Sequence, residues 1–97
     1  MSEKRGHSSS EVAETLAIDA LGYLANEPDA LGRFLALSGI GPEMLRTAAA
    51  DPGFLAGVLD HFLSDEPLLV AYAAHAGIPA TRIAAARRAL GGSDQGA

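Results

Sequence analysis

A chain of 97 residues, 48% of them hydrophobic and 20% charged, suits a single globular domain and is too apolar for a disordered segment. It contains no cysteine, which excludes a disulfide framework and a thiolate metal site. Lys and Arg number 7 against 12 Asp and Glu, so the net charge is -5 and the pI lies near 4.9. That balance opposes broad binding to nucleic acid or to an anionic membrane, although a local basic patch is compatible with it.

The lead "MSEKRGHSSS" has no apolar run and does not read as a signal peptide, and no stretch approaches the roughly 18 apolar residues of a membrane span. A cytoplasmic protein is expected, with a disordered lead over 1–9, a single helical domain over 10–91 and a disordered tail over 92–97. No run alternates as a strand would, and alanine and leucine, both strong helix formers, dominate. The first helix is expected at about 10–26. Ser8 with Glu11 fits a capping box, with Ser9 and Ser10 as rival caps. At about 100° per residue, Val12, Ala13, Leu16, Ala17, Ala20, Tyr23 and Leu24 share one broad face, and Glu11, Glu14, Thr15 and Asp19 lie opposite. Ile18 stands alone among those polar residues.

Proline sets the rest of the punctuation. Pro28, Pro42, Pro52, Pro67 and Pro79 each fit the first position of a helix, where the missing N–H costs nothing. Asp51 fits as the cap before Pro52. Gly39, Gly77 and Gly91 fit the left-handed position after a helix end. The remaining helices are therefore expected at about 28–38, 42–50, 52–64, 67–76 and 79–90. The connections are too short for long antiparallel pairs, so the fold predicted is all-α, a compact orthogonal bundle of about six short helices. Core candidates are Leu16, Leu24, Leu31, Phe34, Leu35, Ile40, Leu45, Phe54, Leu55, Val58, Leu59, Phe62, Val70, Ile78 and Ile83.

The two halves echo each other. "GYLANEP" from Gly22 lies 39 positions before "HFLSDEP" from His61, and with one residue dropped Phe34, Gly39 and Ile40 align with Tyr72, Gly77 and Ile78. Two related three-helix modules packed face to face would produce this pattern, since periods in this range mark repeats. The alternative is that proline starts and Gly-Ile corners are generic punctuation.

"HAGIPATRIAAARRAL" resembles the second half of a helix-turn-helix, with Ala73, Gly77 and Ile83 at the spacing that lets two helices meet. In that motif the second helix enters the major groove. Its inward stripe would be Pro79, Ile83, Ala86 and Leu90. Outward lie Thr81, Ala84, Ala85 and Arg88, with Arg82 and Arg87 on opposite flanks. One arginine on an alanine face is a poor reader of base edges, and spread cations are a poor grip on phosphates. In the echoed corner, "LSGIGPEMLR", Glu43 would repel phosphate. Nucleic-acid contact through Thr81, Arg82, Arg87 and Arg88 is therefore the alternative reading.

No His pair at helical spacing and no HExxH is present, so no metal site is expected. Asp60, His61, Asp65 and Glu66 form a weak acid-base cluster, because Asp65 and Glu66 read as caps of the helix at Pro67. "PLLVAYAAHA" is apolar around nearly its whole circumference, and such a helix must be buried or form an interface. Leu68, Tyr72 and His75 are thus candidate interface residues, with Ile18 of the first helix; the competing reading makes this helix the centre of the second module. The function expected is a small non-enzymatic module with no cofactor, binding a protein partner or a second copy of itself. DNA binding through residues 69–90 is the alternative, and an enzyme working through Asp60 and His61 ranks third.

The segments "GRFLALSGIGPEMLR", "DPGFLAGVLDHFL" and "DEPLL" carry a further likeness. From about Glu11 to Gly92 the chain resembles an uncharacterised bacterial family, catalogued as domain of unknown function 3572. The resemblance implies a small all-helical cytoplasmic bacterial protein. It implies no activity, cofactor or site residue.

Overall fold

Proline and glycine place most of the helix ends. The structure, a computed structural model, describes residues 2–91, with side chains from Ser10 onward. Among the described residues six α-helices follow one another without a strand: α1 (Ser2–Ala25), α2 (Pro28–Ser38), α3 (Leu45–Ala48), α4 (Pro52–Leu63), α5 (Glu66–Ala76) and α6 (Ala80–Leu90). A 3-10 turn, Pro42–Met44, leads into α3. Asp51 caps α4 by accepting a hydrogen bond from the Gly53 N–H at 3.1 Å, and Asp65 caps α5 by accepting from the Leu68 N–H at 3.2 Å. Gly39, Gly77 and Gly91 have φ of +77°, +70° and +66°, the left-handed turn that follows a helix end.

Three boundaries differ from expectation. Helix α1 runs from Ser2, so helical backbone occupies the lead expected to be disordered, and Ser8 to Ser10 lie inside the helix. Glu3, Lys4 and Arg5 are good helix formers and no proline interrupts them. The tail 92–97 lies outside the described residues. The helix expected over 42–50 is broken into the 3-10 turn and four residues of α3. Pro52 forces Asp51 into extended backbone, φ -97° and ψ 119°, which halts α3 early. Pro79 is the residue before α6, at φ -75° and ψ 150°, and not its first turn.

Helices α1, α4 and α6 pack on one another and form the centre; α2 leans on α1, and α5 leans on α4 and α6. The axes of α5 and α6 meet at 101°, the steep crossing that a Gly-Ile-Pro corner imposes. Leu24, Leu55, Val58, Leu59, Phe62, Tyr72 and Ile83 are fully buried. Ala13, Ala17 and Ala20 of α1 and Ala86 of α6 are small enough to let the central helices approach closely. Among the described residues no polar or charged group other than the Tyr72 hydroxyl belongs to a buried side chain. Among the described residues no single helix is long and apolar enough to cross a membrane.

Most of the expected core lies inside or packs against it; Val70, 56% exposed, and the half-buried Ile40 do not. Val12, expected on the broad apolar face of α1, is 55% exposed. Val70 lies about 200° round α5 from both Leu68 and Tyr72, which belong to the buried core. Val12 sits at the edge of the α1 stripe, because the contact with α6 centres on the alanines. The halves share their order of long helix, proline-started helix and Gly-Ile corner. Their third elements differ: α3 has four residues where α6 has 11, and only α6 belongs to the central trio.

Candidate functional site

The groove between α2 and α4 is a largely apolar concavity. Phe34, Leu37 and Ser38 form one wall, and Gly53, Phe54, Gly57, Asp60, His61 and Ser64 form the other, around about 490 Å³. The second wall is one face of α4, since 53, 57, 60/61 and 64 recur at helical spacing. Phe34 packs edge-on to Phe54 with ring centres 5.7 Å apart. Leu37 stands at the lip, 74% exposed. A methyl group at Gly57 would meet nothing within 4 Å, so the floor of the groove is bare helix backbone.

The polar groups around the groove are largely spent within the chain. Ser38 Oγ donates to the Phe34 carbonyl at 2.9 Å and Ser64 Oγ donates to the His61 carbonyl at 2.9 Å. Asp60 accepts from Arg87 Nε at 2.8 Å, a pair that ties α4 to α6. His61 rests against Phe34, ring centres 5.2 Å apart, and its Nε2 is buried without a hydrogen-bond partner. Loss of solvent lowers the His61 pKa from its ordinary value; Asp65 opposes that shift and Arg33 adds to it. The ring is therefore neutral at pH 7. Within the acid-base cluster the Asp60 carboxylate is engaged by Arg87, and Asp65, which also caps α5, is the member that acts on His61.

The expected interface residues separate. Leu68 is 9% exposed and Tyr72 only 1%; both belong to the core, and Tyr72 lies against Phe62 of α4 and Tyr23 of α1. The Tyr72 hydroxyl donates to Asp19 Oδ2 at 2.6 Å. Burial first, and then the Asp19 bond, raise its pKa well above the usual phenol range. From Tyr72 an aromatic ladder leads outward through Tyr23, at 5.4 Å, to His75, a further 5.0 Å on. His75 and Ile18 are exposed and meet across a hollow of about 530 Å³ with Asp19, Gly22, Tyr23, Asn26 and Glu27. A second hollow, about 670 Å³, lies on the other side of Ile18 and Gly22, where α1 faces Pro42, Glu43, Leu45, Arg46 and Ala49.

The residues of the nucleic-acid alternative also diverge. Thr81, Arg82 and Arg88 are exposed. Arg82 lies beside Val12 and Leu16 of α1. Arg87 turns the other way, held by Asp60 and by the Gly91 carbonyl at 2.7 Å. The groove residues Leu37, Gly53 and Gly57 were not singled out in the sequence. The signal available was the Gly-x-x-x-Gly spacing of 53 and 57 on an otherwise apolar helix.

These features define an all-helical bundle with open hollows between its helices. The chain belongs to the family described as protein of unknown function, DUF3572, whose model matches residues 10–93. No curated protein and no solved structure matches it.

Proposed function

We propose that the chain is a non-enzymatic interaction module that takes an apolar helical segment of a partner protein into the α2–α4 groove. One observation carries this reading: α4 leaves its backbone bare at Gly57, beside the exposed Leu37. Glycine inside a helix costs roughly 0.5–1 kcal/mol relative to alanine. No neighbour within the chain requires it here, whereas a partner helix crossing closely would. Amphipathic helices dock in apolar grooves of this kind through side chains at i, i+3, i+4 and i+7. The module would work in the bacterial cytoplasm, without a cofactor, on a protein partner or a second copy of itself. Nucleic acid is the less favoured partner, because Arg87 is engaged and Arg82 points elsewhere.

The test is capture of binding proteins from lysate of the source cell with the wild type, Gly57→Arg, Leu37→Asp and Arg88→Glu. The expected outcome is a stoichiometric protein that survives nuclease, is lost with the two groove variants and is retained with Arg88→Glu. Retention on all three variants would defeat the groove reading. Loss only after nuclease treatment or with Arg88→Glu would restore the DNA alternative.

A further inference from the structure

The outer face of α1 carries features that the α2–α4 groove does not use. Ile18 is 49% exposed in mid-helix, and Gly22, one turn on, is open: a methyl group there would meet nothing within 4 Å. Interior glycine is a destabilising choice for a helix unless another backbone must approach it. Hollows of about 530 and 670 Å³ flank these two residues and share both as a wall. The face is also charged in one sense. Asp19 and Glu27 border the hollow toward α5 and Glu43 borders the other, against the single guanidinium of Arg46 and the imidazole of His75. Asp19 is fixed in place by the Tyr72 hydroxyl at 2.6 Å. Among the described residues, neither Glu27 nor Glu43 takes part in an ion pair.

We propose that this face docks a basic amphipathic helix of a partner protein. Its apolar side chains enter the hollow between Ile18 and α3, its backbone crosses α1 at Gly22, and its lysines or arginines meet Glu43 on that side and Asp19 and Glu27 in the more polar hollow on the other. A mainly apolar hollow on the α3 side of Ile18, with a more polar one beside it that carries Asp19 and Glu27, selects for that combination, since complementary charge sets orientation and partner choice while burial supplies affinity. A second copy of this chain fits the face poorly, because the copy is itself acidic, with a net charge of -5. The proposal is independent of the α2–α4 groove.

The experiment is a titration of the full ¹⁵N-labelled chain with a synthetic amphipathic Leu/Lys helix, and separately with the same helix carrying Glu in place of Lys. Shift changes are expected at Ile18, Gly22, Ala49 and His75 with the Lys helix alone. Gly22→Gln should weaken binding roughly tenfold or more by filling the crossing point. Glu27→Lys with Glu43→Lys should weaken it roughly tenfold at low salt and less at high salt. Gly57→Arg should leave the affinity unchanged. Glutamine is a good helix former and meets open space at 22; thermal unfolding verifies that Gly22→Gln folds, and the two exposed glutamates carry the test if it does not. Equal binding of the Glu helix would overturn the proposal, as would shifts confined to Leu37 and Gly57. Unchanged affinity in Gly22→Gln would overturn it too, and so would self-association through this face in sedimentation without peptide.

Discussion

Gly57→Ala should stabilise the protein, and the sign of that change tests the argument about the groove floor. Gly57 lies inside α4 with φ outside the left-handed region, so alanine can adopt its backbone without strain. The added methyl would meet nothing within 4 Å, so no overpacking opposes it. What remains is the propensity difference, about 0.8–1 kcal/mol in favour of alanine in a helix interior. For a domain of this size that corresponds to a rise in Tm of about 3–8 °C. Differential scanning calorimetry with urea unfolding at constant m-value is the assay. Gly77→Ala is the control of opposite sign, because φ is +70° there and a side chain in the left-handed region costs roughly 1–2 kcal/mol. An unchanged or lower Tm in Gly57→Ala would mean that the floor is crowded. The vacancy attributed to a partner would then be ordinary packing.

Tyr72→Phe keeps the ring inside the core and removes only the bond to Asp19, so a loss of about 1 kcal/mol is expected in chemical denaturation; no loss would show that the bond adds nothing net. Leu68→Asp should unfold the chain by circular dichroism, because an unpaired carboxylate at a position 9% exposed lacks compensation; a folded variant would return Leu68 to the surface. The pKa of His61 is depressed in the folded state, so unfolded chains bind the proton more readily. Its contribution is fully present above pH 6.5, its ordinary pKa, and is lost as pH falls through the lowered folded value. His61→Phe should flatten that part of a stability–pH profile measured by urea unfolding between pH 7 and about 5; a profile as steep as the wild type's would assign the proton uptake to another group.

The helix starts and corners were legible because they are local chemistry. Asp51 and Pro52, Asp65 and Pro67, and the glycines at 39, 77 and 91 act through their own backbone and the next turn. Misreadings came where tertiary contact decides. Val70 and Tyr72 are both large apolar residues on α5, and periodicity alone could not say which side would be buried. The all-round apolarity of α5 suggested an interface; alanines at 71 and 74 supply much of it, and small side chains can face water at little cost. Of the four candidate interface residues, Ile18 and His75 share a hollow because α5 crosses beside α1. Only the folded packing could disclose that.

A three-helix centre explains why concavities arise where they do. Helices α1, α4 and α6 bury one another, so α2 and the short α3 region cover only part of the faces left over. Side-chain size then decides what fills the seam. Along α1 toward α6 the alanines 13, 17 and 20 and Ala86 are buried, while a hollow of about 390 Å³ stays open at the Ala13–Ala86 end beside Val12, Leu16 and Arg82. At Gly57 and Gly22 the side chain is also minimal, yet no second helix has closed onto it. Minimal side chains at a closed contact are explained by that contact. The same choice at an open seam, beside Leu37 in one case and Ile18 in the other, sacrifices helix stability with no contact inside the chain to account for it, as it does at Gly32 of α2.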